Sequence, residues 1–188
     1  VNIERFCVKF PAQAPADFDE ASLIGVFQAW IREEKIEGTP IDVVDYRHVP
    51  DGPGIMLMTY EINYMMEHQG GYGLYAQRRW GKDEAQPLPE AIADLIVSSA
   101  KFGTLLAAET GVTLKGEEFH YICNDRLNAP NTDAAFAEIK PELEAALKKL
   151  YGGTGFSIER VQNNPKERLT LAVKAEKPVA IADLCGVA

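Results

Sequence analysis

Pro89-Glu-Ala-Ile-Ala-Asp-Leu-Ile96 reappears as Pro178-Val-Ala-Ile-Ala-Asp-Leu-Cys185, with six of the eight positions identical. Both prolines suit the first turn of a helix. Ahead of the first copy, Phe6, Val8 and Phe10 alternate with Cys7 and Lys9, which predicts a strand over Ile3–Phe10. Leu23, Phe27, Trp30 and Ile31 then recur at spacings of three and four, predicting a helix from Asp17 to Lys35 that Gly38 and Pro40 stop. Strands are expected over Ile41–His48, Ile55–Tyr64 and Tyr72–Trp80, punctuated by Pro50-Asp51-Gly52-Pro53-Gly54 and Gly70-Gly71. The helix opened by Pro89 runs to Glu109, closed by Gly111. Ahead of the second copy the order repeats: a strand over Glu118–Asn124, a helix over Thr132–Leu150, and strands over Phe156–Val161 and Arg168–Lys174. A terminal helix is expected from Pro178.

The spacing supports the repeat. Ile3 lies 86 positions before Pro89 and Glu118 lies 60 before Pro178; the difference of 26 is the length of segment 61–86. Gly25 and Pro141, both weak in a helix interior, fall at similar depth in the two long helices. The expectation is an α+β chain built from a duplicated strand–helix–strand–strand–helix unit, with a largely antiparallel sheet and helices packed on it. One domain spans 1–188, made of a first pseudo-repeat at 1–113 with a hairpin inserted at 61–86 and a second at 114–188. Each unit has too little core to stand alone, so the two share one sheet or pack their sheets together. In the Pro89–Glu109 helix, Ile92, Leu95, Ile96, Phe102 and Leu106 form an apolar side, while Ser98, Ser99, Gly103 and Ala107 leave a slim one. A slim side admits another element of the chain or a neighbouring subunit.

This order of elements, strand–helix–strand–strand taken twice, resembles the gyrase-inhibitory-protein-like ligand-binding domains. The resemblance implies a small-molecule cleft between the two modules. It lies in topology and carries no functional residue across.

Charge narrows the partners. The formal net charge is −9, and the one basic cluster, Arg78-Arg79 with Lys82, is too small to track a phosphate backbone. Nucleic acid and anionic membrane surfaces are therefore not expected partners. The opening Val-Asn-Ile-Glu-Arg-Phe has no basic region followed by an apolar core, so no secretory signal is expected. The weakly charged stretch Leu95–Ala108 is interrupted by Lys101 and too short to span a bilayer. Three cysteines, Cys7, Cys123 and Cys185, have no paired close spacing, which fits reduced thiols in a cytoplasm.

The densest polar run is Asp45, Tyr46, Arg47, His48 and Asp51, with Glu61 and Tyr64 beyond it. His48 has the intrinsic pKa of a general base, and Asp45 or Asp51 could orient it; a polar strand end and a tight turn account for the same residues. Asp51-Gly52-Pro53-Gly54 lacks the lysine and following helix of a phosphate loop. His48, His68 and His120 are scattered and no cysteine pair has ligand spacing, so neither metal nor cofactor is expected. Tyr72, Tyr75 and Trp80, beside Arg78 and Arg79, have the composition of a ligand-lined cleft or an interface. The leading expectation is a non-enzymatic module that binds or senses a small molecule in a cleft between its halves, through Tyr46, His48, Glu61, Tyr64, Tyr75 and Trp80. The alternatives are a homo-oligomeric assembly protein and an enzyme using His48 with Asp51 or Glu61 for proton transfer.

Overall fold

A computed structural model describes residues 3–79 and 86–186 of the chain. The first alternating run forms β1 (Phe6–Gln13), with Phe6, Val8 and Phe10 fully buried on one side. Helix α1 (Ser22–Arg32) buries Leu23, Phe27 and Trp30 at the expected spacing. It starts later than its periodicity predicts because Asp19 holds the preceding residues in a turn: its carboxylate accepts the Ala21 N–H at 3.0 Å and its carbonyl accepts the Ser22 N–H at 3.0 Å.

Four strands follow: β2 (Pro40–Asp45), β3 (Ile55–Thr59), β4 (Ile62–Glu67) and β5 (Gly73–Arg78). The run Ile55–Tyr64, expected as one strand, is thus broken by a turn at Tyr60-Glu61. Thr59 makes the break, its hydroxyl donating to the Ile62 carbonyl and accepting the Ile62 N–H, each at 2.9 Å. The turn holds neither Gly nor Pro, so an apolar run hides it.

After α2 (Leu88–Thr110) come β6 (Thr113–Leu114), β7 (Glu118–Cys123), α3 (Asp133–Leu150), β8 (Phe156–Arg160) and β9 (Thr170–Ala175). Thr132 caps α3, its hydroxyl accepting the Ala135 N–H. The strands form one sheet in the order β2-β3-β4-β5-β1-β7-β9-β8, every neighbour antiparallel, with β6 paired to the end of β1. The fold is α+β, with helices packed on a largely antiparallel sheet.

No long helix follows Pro178. Val179 and Ala180 are held alongside 115–116, the Gly116 N–H donating to the Val179 carbonyl at 2.9 Å and Lys115 bridging Ala180. Only Ile181–Leu184 coils, as a single 3₁₀ turn. The matching octapeptides therefore adopt different conformations: Pro89 lies in the first turn of α2, whereas Pro178 leads into an extended segment.

The buried side chains of all three helices join one cluster with Phe6, Val8, Phe10, Leu57, Tyr64, Leu74, Tyr121 and Leu171, so every helix lies on the same face of the sheet. Phe102 is its aromatic hub, stacked on Tyr64 at 4.3 Å and meeting Phe27 and Trp30 edge-on at 5.4 and 5.2 Å. The slim side of α2 is filled from within the chain: a Cβ on Gly103 would lie 2.4 Å from Leu114 Cδ1 and 3.5 Å from Ile181. Taken whole, α2 is longer than the stretch first considered and apolar enough to cross a membrane by composition; half of that window is buried in this fold. Gly103→Val should lower stability by about 1–3 kcal/mol, since overpacking a filled core has that cost, and urea denaturation measures it.

Candidate functional site

Because strand side chains alternate between faces, the residues between the core positions point to the side that, among the described residues, carries no helix. Register fixes them: Cys7 lies opposite Gln77 and Ile122, Lys9 opposite Tyr75 and His120, Met65 opposite Met56 and Tyr75, and Asn63 opposite Met58 and Gln77. Cys7, Met56, Met65, Tyr75 and Ile122 form a second buried apolar cluster, edged by Val44, Tyr46 and Met58, to which no helix contributes. Its cover comes partly from side chains of the sheet itself. Arg168, just ahead of β9, donates from Nη1 to the Tyr75 hydroxyl at 2.8 Å, and its guanidinium lies 5.9 Å from the centre of that ring. Strands β1 and β7 lie between these two residues, so the bridge passes over Cys7 and Ile122.

Burial sets the chemistry of this patch. It pushes the Cys7 thiol up to about 11, against the opposing hydrogen bond from Tyr75 and the charge of Arg168. Burial and the neighbouring Cys7 likewise raise the Tyr75 phenol, which therefore stays protonated. Cys123, on the helix-covered face, rises to about 12 by burial and the proximity of Cys7.

Two crevices flank the patch. One, of about 240 Å³, is lined by Lys9, Tyr72, Glu118, His120, Ala172 and Lys174 among others. Lys9 pairs there with Glu67 at 2.9 Å, both side chains largely buried, and donates to the Gln69 carbonyl in the β4–β5 turn. Partial burial and the Lys9 charge hold His120 below its usual pKa. The other crevice, of about 200 Å³, is lined by Arg5, Asn63, Gln77, Arg78, Arg79 and Asn124.

Of the six residues singled out from the sequence, the five that are described do not come together. Tyr75 is central to the helix-free patch and Tyr46 edges it. His48 stacks beside Tyr46 at 6.4 Å, exposed. Tyr64 faces the opposite way, 3% exposed against Phe102, because it neighbours Met65 and adjacent strand residues cannot share a face. Glu61 sits in the β3–β4 turn, where its Oε2 accepts the Thr39 N–H at 3.0 Å. Trp80 lies outside the described residues.

The acid–base arrangement around His48 is also absent among the described residues. Arg47 holds the Asp45 carboxylate through Nε at 2.9 Å and Nη2 at 2.7 Å, keeping its pKa down at about 2. Asp51 occupies a left-handed turn position, and neither aspartate hydrogen-bonds His48. Among the described residues, no three His, Cys, Asp or Glu side chains come together as metal ligands.

Sequence reasoning passed over Lys9, Arg5 and Arg168 as site residues, and weighed His120 only as a metal ligand. The parity of β1 contained a signal for Lys9, since it shares Cys7's side opposite Phe6, Val8 and Phe10. Nothing local marks Arg168, which meets Tyr75 across 93 positions. No family model, curated protein or solved structure matches this chain.

In the folded protein at pH 8, a thiol reagent should label Cys185, which is partly exposed, and spare buried Cys7 and Cys123 until denaturant is added. Quantitative titration of released chromophore measures this. Both buried thiols have folded pKa values above their usual 9.0. Their contribution to stability is complete below pH 9 and is lost as pH rises through about 11 to 12, because the unfolded chain releases these protons first. Cys7→Ala and Cys123→Ala should each flatten the alkaline fall in melting temperature.

Proposed function

We propose that this chain is a non-enzymatic small-molecule binding module whose binding surface is the helix-free face of the sheet. The observation that carries the reading is the apolar cluster of Cys7, Met56, Met65, Tyr75 and Ile122, built from strands alone. Such a surface, with a few polar groups placed around an apolar floor, has the makeup of a ligand site. The crevice beside it supports the reading, since Lys9 and Tyr72 come from one half of the chain and Glu118, His120 and Lys174 from the other. Its ligand is small and its charge mixed, matching Lys9, Glu118 and Lys174 around the opening. The reduced cysteines favour a cytoplasmic setting.

The pseudo-repeat of 1–113 and 114–188 belongs to this proposal. Strand order supports it: β2 to β5 return beside β1, and β8 and β9 return beside β7.

The same patch supports a second reading, in which two copies of the chain meet face to face and assembly is the function. Native mass spectrometry of protein purified from its own host separates the two. Mass beyond a whole number of chains, lost in Tyr75→Ala while circular dichroism stays unchanged, is the expected result. A dimer without added mass favours assembly. Bare monomer that also binds nothing in a ligand screen by thermal shift sinks both.

A further inference from the structure

The crevice at the β5–β1–β7 end of the sheet, in a chain whose net charge is −9, is lined by Arg5 and Arg79 from the helix-free face and by Arg78 from the strand position that faces the helices. Elsewhere, Lys9, Lys35, Arg47, Lys101 and Arg160 each have a carboxylate within ion-pair distance. Among the described residues, no carboxylate stands that close to Arg5, Arg78 or Arg79. Collecting guanidinium groups in one crevice costs electrostatic energy that an anion offsets.

The three are held by the strand framework. The Asn124 N–H donates to the Arg5 carbonyl at 2.9 Å, fixing the entry to β1 against the exit from β7. Arg79 donates its backbone N–H to the Glu61 carbonyl at 2.8 Å and Nη1 to the Thr59 carbonyl at 3.0 Å, and among the described residues its other guanidinium donors have no partner. Arg78 lies over the Phe6 ring at 5.4 Å. One further atom points to a ligand: Asn63 lines the same crevice, and its Oδ1 is buried without a hydrogen-bond partner among the described residues. An unpaired buried acceptor is costly, and a ligand donor satisfies it.

We propose that this crevice binds an oxyanion, carboxylate or phosphate, that carries an O–H or N–H donor beside its charge. Guanidinium groups supply paired N–H donors to the oxyanion, Gln77 and Asn124 add neutral ones, and Asn63 accepts the ligand's donor. The inference deepens the binding reading of this face, on which it rests for the apolar remainder of the ligand.

Calorimetric titration of the full chain at constant ionic strength tests it with two matched pairs. Phosphate carries an O–H at neutral pH and sulfate does not; lactate carries one and propionate does not. One saturable site per chain is expected, with the donor-bearing member preferred in whichever pair binds, so that the phosphate and carboxylate pairs also separate the two sources of anion. Arg5→Gln, at an exposed position, should weaken binding about 10- to 100-fold, the worth of a charge-assisted contact. Asn63→Ala should abolish the preference for the donor. Absence of saturable binding by all four anions overturns the proposal, as does binding that Arg5→Gln and Arg79→Gln both leave unchanged. Tyr75→Ala should leave simple anion binding intact. Loss of a retained host ligand in that variant, without any anion binding by wild type, would sink this inference alone. Anion binding by a chain that retains no host ligand, and that binds no apolar ligand in the thermal-shift screen, would sink the reading of the patch alone.

Discussion

The antiparallel pairing of β1 with β7, from Phe6 opposite Cys123 to Lys9 opposite His120, is the joint on which the two halves of this chain depend. On its covered side Phe6 meets Tyr121 at 5.5 Å and Phe10 meets Phe119 at 4.9 Å, so aromatic contacts cross the seam beneath the helices. On its other side Cys7 and Ile122 form the floor of the apolar patch. One strand pair thus supplies the centre of the core and the centre of the candidate site. A one-residue slip at this pairing would exchange the two sets of side chains.

Helix placement follows from the same seam. Leu23, Phe27 and Trp30 of α1, Phe102 and Leu106 of α2 and Leu143 and Leu147 of α3 all join the cluster around Phe6, Val8 and Phe10. Three helices cover one side, leaving Tyr75, Met56 and Met65 to be shielded by neighbouring strand side chains. The Arg168–Tyr75 bridge is part of that cover. A guanidinium can do this because its planar face and its alkyl stem tolerate apolar contact while its N–H groups stay paired.

Much of the fold was legible where periodicity was undisturbed. The alternation of Phe6, Val8 and Phe10 marked β1, and the spacing of Leu23, Phe27 and Trp30 marked α1. Legibility failed where a long-range contact overrode a local pattern. Pro178-Val-Ala-Ile reads as a helix start, yet Gly116 draws Val179 into an extended pairing. Thr59 turns the chain inside an apolar run by bonding Ile62 at both ends. The site suffered more, because a site is a set of residues on one face. Tyr64 and Tyr75 look equivalent in sequence, but the pairing of Tyr75 with Met65 places them on opposite sides of the sheet. The parity of each strand could be read, whereas the register between strands could not.

The central position of β1 also shapes how the chain must assemble. Val8 pairs with Ala76 and with Tyr121, partners that lie 68 and 113 positions further along. On a ribosome, a strand bearing Phe6, Val8 and Phe10 therefore waits unpaired while most of the polypeptide is still being made. Topologies dominated by such distant contacts fold slowly, and an unsatisfied apolar strand is a template for mispairing with other chains. Translation that stalls before β7 leaves β1 open along one edge, the kind of transiently exposed strand through which partly folded chains aggregate.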